Sequence, residues 1–295
     1  MIEFRNIKLS DKPWIDELLS YNDFRGAEFC FTNLFIWESV FSSRIARFND
    51  FLLLKSGEGE NTKYLIPVGR GVLRDAIEYL KQDAIERGIQ LKIIGIPKEK
   101  VSEISELFPE ALINEERNSF DYIYESEKMI TLSGKKLQPK RNHLARFKEL
   151  PGWSYEEITR DNISECVEFN KLWCKETGIC GEDPSLESEM CAVGNALANY
   201  FELGLKGGLL RLDGKVVAYT VGEKINSDTV IIHIEKAFAG IRGCYQMINR
   251  EFAERIAADV KYINREDDAG DLGLRQAKMS YYPVFLQEKY SALIK

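Results

Sequence analysis

The sequence is poor in the side chains that usually bind metal ions. Its 295 residues include only two histidines, His143 and His233, and its six cysteines form no C-x-x-C pair. Structural zinc sites are normally built from four histidine or cysteine ligands at short spacing, so this scarcity argues against a metal centre. We therefore expect no metal site and reduced cysteine thiols.

Long apolar runs are also missing. No stretch approaches the roughly 20 apolar residues that a membrane-spanning helix needs. The opening Met-Ile-Glu-Phe-Arg does not resemble a secretion signal. These features predict a cytoplasmic protein without a transmembrane segment. The formal net charge is −7, so a polyanion would have to meet a local basic patch rather than the whole surface.

One basic segment stands out against this acidic background. The stretch GKKLQPKRNHLARFK, residues 134–148, contains six lysines and arginines and no acidic residue. Suitable anions are tRNA phosphates, the pyrophosphate of coenzyme A or a lipid headgroup, since lysine offers point charge and arginine a two-pronged donor. The alternative is a linker helix whose lysines lie along a surface with their charged ends in water.

The spacing of apolar residues in this segment favours a site. Pro139 suits the first turn of a helix, and the residues that follow it form an apolar stripe of Leu144, Phe147 and Leu150. At about 100° per residue, Lys140 and His143 fall inside that stripe, whereas an ordinary surface helix places its cations on the opposite face. We therefore predict substrate binding by Lys140, Arg141, Asn142 and His143.

The order of predicted elements repeats along the chain. Helical and strand patterns in residues 1–128 and from 152 onwards both give the order β-α-α-β-β-β-α-β-α-β. We therefore expect a duplicated α+β fold, with an N-terminal domain at 1–130, a basic connector at 131–150 and a C-terminal domain at 151–295. The aromatic-rich stretch FTNLFIWESVF, residues 31–41, is expected to pack in the core. A stacking wall for an adenine is the weaker alternative.

That order resembles tandem GNAT-like acyltransferases, and three motifs narrow the resemblance. They are SGKKLQPKRNHLARF (133–147), HIEKAFAGIRGCYQMINREFA (233–253) and YINREDDAGDLGLRQAKMSYYP (262–283). They are similar to uncharacterised proteins related to the C-terminal domain of phosphatidylglycerol lysyltransferase, relatives of the Fem-type aminoacyltransferases. The resemblance implies aminoacyl transfer, with aminoacyl-tRNA as donor and a lipid or small-molecule acceptor. We expect no counterpart of the lysyltransferase's large membrane domain in this sequence.

A carboxylate near the end of a predicted strand is the first catalytic candidate. Alternation along TVIIHIEKA places His233 and Glu235 on one face. The resemblance implies that the end of this strand faces the reacting acyl group, where Glu235 could accept a proton from an attacking amine and His233 could bind substrate. The alternative is that Glu235 pairs with a nearby cation.

The following turn, AGIRGCYQ, departs from the usual coenzyme A site of this fold. GNAT enzymes hold the pyrophosphate on backbone N–H groups at the next helix, with the pattern Arg/Gln-x-x-Gly-x-Gly/Ala. Gly240 and Gly243 keep the backbone accessible, but Tyr245 stands where a small residue is usual. We include all three as binding candidates and rank coenzyme A below aminoacyl-tRNA as donor. A plain two-glycine turn is the alternative.

Polar residues crowd the loop after the next predicted strand and the helix beyond it. Loops over a rigid sheet often carry binding residues. Acidic groups there could hold the ammonium of an aminoacyl group, Lys278 could stabilise an oxyanion, and Tyr281 could protonate a leaving group. The alternative is an exposed acidic turn followed by a surface helix. The catalytic candidates are Asp267, Lys278 and Tyr281, and the binding candidates are Asn264, Arg265, Glu266, Asp268, Asp271 and Arg275.

Three functions are compatible with these features. The first is an acyltransferase that moves an aminoacyl group from aminoacyl-tRNA to an amine or hydroxyl acceptor, chiefly by positioning the reactants. The second uses an acyl-CoA donor on the same fold. The third is a non-catalytic module that binds a phosphate-bearing ligand at the basic segment.

Overall fold

A computed structural model describes residues 2–177 and 184–295 of the chain. These residues form two compact units, neither of which is continuous in sequence. The first unit comprises Met1–Asp121, Asp267–Arg275 and Leu286–Lys295, and the second comprises Tyr122–Glu266 and Gln276–Phe285.

The described residues contain eleven α-helices, which are numbered in chain order. They are α1 (Lys12–Ser20), α2 (Phe31–Ile36), α3 (Leu73–Glu86), α4 (Val101–Leu107), α5 (Ser126–Thr131), α6 (Gln138–Lys148), α7 (Ile163–Thr177), α8 (Pro184–Ala198), α9 (Tyr200–Leu203), α10 (Cys244–Ile256) and α11 (Leu272–Met279).

The same residues contain fourteen strands. They are β1 (Arg44–Phe48), β2 (Phe51–Ser56), β3 (Lys63–Leu65), β4 (Val68–Gly69), β5 (Leu91–Pro97), β6 (Leu112–Glu115), β7 (Asp121–Glu125), β8 (Trp153–Glu157), β9 (Lys206–Leu212), β10 (Lys215–Lys224), β11 (Thr229–Ala237), β12 (Tyr262–Asn264), β13 (Phe285–Gln287) and β14 (Lys289–Ile294).

The first unit is built on a mixed sheet in the order β1-β2-β3-β5-β14-β6, with β4 paired to β2. Strands β3 and β5 run parallel. Helix α3 packs against β2 and β5 and buries its apolar face, including Ile77 and Leu80. Burial at spacings of three and four residues is what an amphipathic helix requires. The helix ends at Glu86, and Gly88 follows it with φ +69, the left-handed conformation in which glycine carries no steric cost.

The second unit has a sheet in the order β13-β7-β12-β11-β10-β9-β8, in which β11 and β12 run parallel. Helix α10 packs against β9, β10 and β11. Phe147 of α6 is fully buried in the same core, with Met247 and Ile248 of α10, and Leu144 and Leu150 pack against its edge. The predicted apolar stripe of the basic segment is therefore confirmed as a core-facing surface.

The final strand of each half of the sequence completes the sheet that contains the other half. Strand β14, near the C-terminus, lies between β5 and β6, whereas β7 lies between β12 and β13. The sheet of the first unit thus contains the C-terminal strand, and the sheet of the second unit contains a strand from the first half. Domain boundaries at 130 and 150 stay a prediction.

Some local predictions are wrong. The pattern of residues 2–7 predicts a strand, but these residues form only one isolated bridge, between Arg5 and Ile45. Asp11 instead accepts hydrogen bonds from the Arg5 guanidinium and from the Lys8 N–H. The pattern of residues 31–41 predicts a helix that reaches Phe41, but helix α2 ends at Ile36. Strand β6 (Leu112–Glu115) was not predicted, because it is only four residues long and mixes polar and apolar side chains. The sequence also predicts Asp183 as the N-cap of the helix that begins at Pro184, and Asp183 lies outside the described residues.

Two expectations drawn from composition concern membrane-spanning helices and the oxidation state of the cysteines. No helix in residues 2–177 or 184–295 combines the length and apolarity needed to cross a membrane. Among the described residues, Cys30, Cys166, Cys191 and Cys244 form no disulfide. Cys174 is disulfide-bonded, so the expectation of reduced thiols is wrong at that position.

Candidate functional site

The candidate site forms where two parallel strands of the second unit diverge. Strand β12 pairs with β11 from Thr229 to Ile231 only, and β11 then continues to Ala237. His233 is skipped in the register with β10, because Ile232 and Ile234 face consecutive residues. A bulge of this kind re-aims side chains and is common beside active sites. Glu235 follows His233 by two residues and lies beyond the part of β11 that pairs with β12.

Glu235 is held by two donors from neighbouring elements. Its Oε1 accepts a hydrogen bond from Arg265 Nη2 at 2.8 Å, and its Oε2 accepts one from Asn249 Nδ2 at 2.6 Å. The side chains of Glu235 and Arg265 are 10% and 13% exposed. The cation pair considered as the alternative for Glu235 therefore exists, in a largely buried setting where charge-assisted bonds are strong.

Arg265 has donor capacity left over. Its Nη1 is buried and has no hydrogen-bond partner among the described residues. Burial opposes the charged form of Arg265, but the Glu235 carboxylate outweighs burial and raises the pKa of the guanidinium. The guanidinium also lies 5.0 Å from the ring centroid of Tyr281 and 5.7 Å from that of Tyr124. A buried donor without an acceptor is costly, and one explanation is a ligand atom that it binds.

Helix α6 brings a second cation to this place. Lys140 Nζ donates a hydrogen bond to Ser280 Oγ at 2.6 Å and lies 4.1 Å from the ring centroid of Tyr281. Burial and the nearby Arg265 charge lower the pKa of Lys140. Burial raises the pKa of Tyr281 to about 12, so its hydroxyl stays protonated and can donate at neutral pH.

We call Lys140, Glu235, Asn249, Arg265 and Tyr281 the Glu235 cluster. With Lys140 and Arg265 charged, the cluster contains two cations and one carboxylate, so a negative or polarised oxygen of a ligand is favoured there. Asn249 was not predicted as a site residue. Nothing in its local sequence distinguishes it, and its contact with Glu235 arises because α10 packs on β11.

The His233 side chain is enclosed by the protein rather than exposed to solvent. Its Nδ1 is 2.9 Å from Glu266 Oε1 and its Nε2 is 3.1 Å from Glu223 Oε1, and its side chain is 1% exposed. Asn264 is fully buried, and its Oδ1 accepts a hydrogen bond from the Glu266 N–H at 2.6 Å. These residues shape the turn that leads into and out of Arg265.

The remaining candidates of the basic segment make local contacts. Arg141 donates to the carbonyl oxygens of Leu132 and Gly134 and to Gln138, which secures the entry to α6. Asn142 is exposed, and its Oδ1 accepts a hydrogen bond from Gln138 Nε2. The pKa of His143 is lowered by burial and by three nearby cations, Arg242, Lys140 and Arg146.

The two-glycine turn packs tightly against α6. Gly243 is buried with φ +86, and a Cβ there would overlap the backbone carbonyl oxygen of His143. Tyr245 is half-buried, and burial raises its pKa. Gly240 is exposed, and the nearest atom to a Cβ built there is 3.8 Å away. The backbone of α6 thus lies against the start of α10, where the fold usually receives a pyrophosphate.

This packing gives a direct prediction. Gly243→Ala should lower the free energy of unfolding by about 1–3 kcal/mol for the left-handed backbone alone, and the overlap with His143 should add to that loss. Gly240→Ala is the matched control, with an expected change within about 0.5 kcal/mol. Urea denaturation of both variants measures the difference. Equal stability would show that Gly243 is not held against α6.

Most of the acidic loop belongs to the first unit. Asp268 is fully buried and accepts two hydrogen bonds from Arg275 at 2.8 Å each. Asp271 Oδ1 accepts from the Leu274 N–H at 2.6 Å, at the start of α11. Asp267 lines a cavity of the first unit. Lys278, in the second unit, is buried and donates to the Arg265 carbonyl oxygen at 2.7 Å, so it supports the backbone of Arg265.

Two units, each with one diverging pair of parallel strands, define a tandem GNAT-like fold, as predicted. FemX has this fold, with a TM-score of 0.61 and 10% identity over 100% of this chain and 98% of that chain. Residues 21–293 match the family model described as phosphatidylglycerol lysyltransferase, C-terminal. This chain therefore belongs to the phosphatidylglycerol lysyltransferase C-terminal family.

Solved structures share this fold, and one curated protein is similar in sequence. A conserved protein of unknown function from Bacteroides thetaiotaomicron VPI-5482 is 40% identical over 100% of both chains, with a TM-score of 0.95. L-PGS from Bacillus licheniformis is 16% identical over 86% of this chain and 84% of that chain, with a TM-score of 0.61.

One curated relative, the uncharacterized protein MYCGA3080 of Mycoplasmoides gallisepticum, is 29% identical over 180 residues, or 59% of this chain. The match spans 56% of that relative's length.

Proposed function

We propose that this protein transfers an aminoacyl group from aminoacyl-tRNA to an amine or hydroxyl group of a lipid or small-molecule acceptor. The observation that carries the proposal is the Glu235 cluster, in which a buried carboxylate, a protonated tyrosine and an unsatisfied Arg265 N–H converge. Aminoacyl transfer needs these three functions, namely a proton acceptor, a proton donor and an oxyanion partner.

Each group has a role in the proposed reaction. The acceptor nitrogen or oxygen attacks the ester carbonyl carbon of the donor and gives its proton to Glu235. Negative charge that develops on the carbonyl oxygen meets Arg265 Nη1, which has no partner among the described residues. When the bond to the ribose oxygen breaks, Tyr281 provides the proton that this oxygen takes up. The reaction needs no covalent enzyme intermediate, so positioning supplies much of the rate.

The start of α10 supports an aminoacyl-tRNA donor over coenzyme A. The backbone of α6 approaches Gly243 so closely that no Cβ fits there, and Tyr245 adds bulk in the first turn of α10. A pyrophosphate at this helix start would need the space that α6 fills. Lys140, on the inner side of α6, supplies positive charge beside Tyr281, where the phosphate next to a tRNA terminal ribose would be favoured.

The decisive experiment tests aminoacyl-tRNA and coenzyme A as donors in parallel. Purified protein is incubated with pooled tRNAs that carry labelled amino acids, together with phosphatidylglycerol vesicles and small amine acceptors, and label transfer is measured. We expect transfer from aminoacyl-tRNA, and a donor affinity that falls as salt rises because phosphates are bound. Thermal shifts with coenzyme A test the second donor. A large shift with coenzyme A and no consumption of any aminoacyl-tRNA would overturn the proposal.

Helix α6 offers a matched pair of variants for the same assay. Lys140→Met removes the half-buried cation beside Tyr281 and should weaken tRNA binding about tenfold, with a shallower dependence on salt. Lys148→Met removes an exposed cation from the same helix and should leave affinity within about twofold. Equal effects of the two changes would assign tRNA binding to general charge rather than to the Glu235 cluster.

A further inference from the structure

The first unit contains a cavity of about 330 Å³. It lies at strands β3 and β5, which pair in parallel only at Tyr64↔Ile93 and Leu65↔Ile94. The Glu235 cluster of the second unit also lies where two parallel strands stop pairing. The cavity therefore occupies the topological position in the first unit that the candidate active site occupies in the second.

Much of the cavity wall is apolar. Leu34, Leu54 and Leu65 contribute to it, and Trp37 and Phe41 form one side. The rings of Trp37 and Phe41 stack with centroids 5.3 Å apart, and Phe41 is 53% exposed. Residues 31–41 were predicted to pack in the core, but these two rings border a space that a ligand can enter. Concave, mostly apolar sites with a few polar groups are typical of small-molecule binding.

One end of the cavity is acidic and buried. Lys289 Nζ lies 2.6 Å from Glu28 Oε2 and 2.8 Å from Asp121 Oδ1, and Asp121 is fully buried. Asp121 also accepts the Ala27 N–H at 2.8 Å. Apart from its ion pair with Lys289, the buried Glu28 carboxylate has no hydrogen-bond partner among the described residues. One lysine thus serves two carboxylates.

Several carboxylates gather at this end of the cavity. Glu28 and Asp121 carry two negative charges against the single positive charge of Lys289, and Asp267 adds a further carboxylate to the lining. Lys92 of the lining is engaged at 3.9 Å with Glu116, and Lys63 is exposed at the rim. Glu28 shares Lys289 with Asp121, so a second cation beside the Glu28 carboxylate would be attracted.

We propose that this cavity binds a small primary amine on an apolar stem, with its ammonium group at Glu28 and its stem against Trp37. An ammonium has three donors, which suits the free acceptor capacity of the Glu28 carboxylate, and Trp37 offers a face for an apolar or aromatic stem. Amino acids and their amides, and amine-terminated lipids or peptides, share this chemistry. The inference does not depend on the proposed transfer reaction.

Binding should depend on pH in a defined direction. Burial raises the pKa of Glu28 to about 6; Lys289 opposes this shift and Asp121 adds to it, and Asp267 also faces the cavity. Above pH 6, Glu28 is charged and attracts the ammonium. As the pH falls through 6, the carboxyl becomes neutral, so amine affinity should fall about tenfold between pH 7.5 and pH 5.

Calorimetric titration with matched probes tests this site. The amines are n-butylamine, phenethylamine and leucinamide, and the controls with similar stems are butyrate, 3-phenylpropionate and N-acetylleucine. We expect at least one amine to bind with a Kd of about 1 mM or tighter, and the carboxylates to bind at least tenfold more weakly. Carboxylates that bind as well as the amines, or no amine binding at all, would overturn the proposal.

Variants locate the binding. Glu28→Gln should weaken amine binding at least tenfold, whereas Glu103→Gln, on exposed α4 with its partner Lys100, should not change it. Trp37→Ala should weaken phenethylamine more than n-butylamine. Melting curves establish that each variant is folded. If Glu28→Gln does not fold, the Trp37→Ala comparison and the pH titration of the natural protein decide. Amine binding that is insensitive to Glu28, Trp37 and pH contradicts the assignment.

Discussion

Replacing Glu235 by glutamine is expected to lower the rate of aminoacyl transfer by about 10²–10⁴-fold, the usual contribution of a positioned general base. Glutamine keeps an oxygen that can accept the hydrogen bond from Asn249, which is 2.6 Å long in the natural protein. It has no basic oxygen for the proton of the acceptor. The loss should therefore appear in kcat, while binding of aminoacyl-tRNA changes little.

The measurement is single-turnover transfer of labelled amino acid, normalised to the folded fraction of each preparation. Glu254→Gln is the matched control, because Glu254 is on the same α10 helix as Asn249 and pairs with Arg250 near the surface. Glu235→Asp keeps the charge on a shorter stem and should restore part of the rate. Full activity of Glu235→Gln would remove Glu235 from the proton-transfer role.

Much of this arrangement follows from local patterns. The stripe of Leu144, Phe147 and Leu150 predicted which side of α6 is buried, and Phe147 is indeed in the core. The same periodicity placed Lys140 at the inner side, and it lies beside Tyr281. Such predictions succeed because helical spacing fixes the direction of a side chain before any tertiary contact is known.

Strand pairing could not be predicted in the same way. The last strands of the two halves are β7, residues Asp121–Glu125, and β14, residues Lys289–Ile294. The sequences of both segments predict strands. The strands with which they pair depend on the rest of each sheet, and that sheet is formed by residues distant in the sequence. For the same reason no local signal marks Asn249, which meets Glu235 only because α10 packs on β11.

The polar loop after β12 shows a third limit. Residues 264–271 read as one cluster, but Glu266 and Ala269 have positive φ values of 54 and 47 and turn the chain sharply. Arg265 belongs to the second unit and binds Glu235, whereas Asp268 belongs to the first unit and pairs with Arg275. Density of charge in a sequence does not reveal which side of such a turn a residue faces.

Removing charge from both Glu235 and Arg265 is expected to restore the stability that either single change removes. Arg265→Met leaves a carboxylate that is 10% exposed without its cation, and Glu235→Gln leaves a guanidinium that is 13% exposed without its anion. Breaking one side of a buried ion pair typically costs about 3–5 kcal/mol, whereas replacing both sides with neutral groups is often close to neutral. The double variant should therefore unfold within about 1–2 kcal/mol of the natural protein.

Guanidinium denaturation of the four proteins measures the coupling as a double-mutant cycle, and the transfer assay is run on the same samples. Stability should return in the double variant, and activity should stay at the level of the weaker single variant, because neither the proton acceptor nor the Nη1 donor is replaced. This split separates catalysis from folding. If the two losses of stability simply add, the side chains do not form the buried pair on which the proposed site depends, and Arg265 would have to be neutralised by another group.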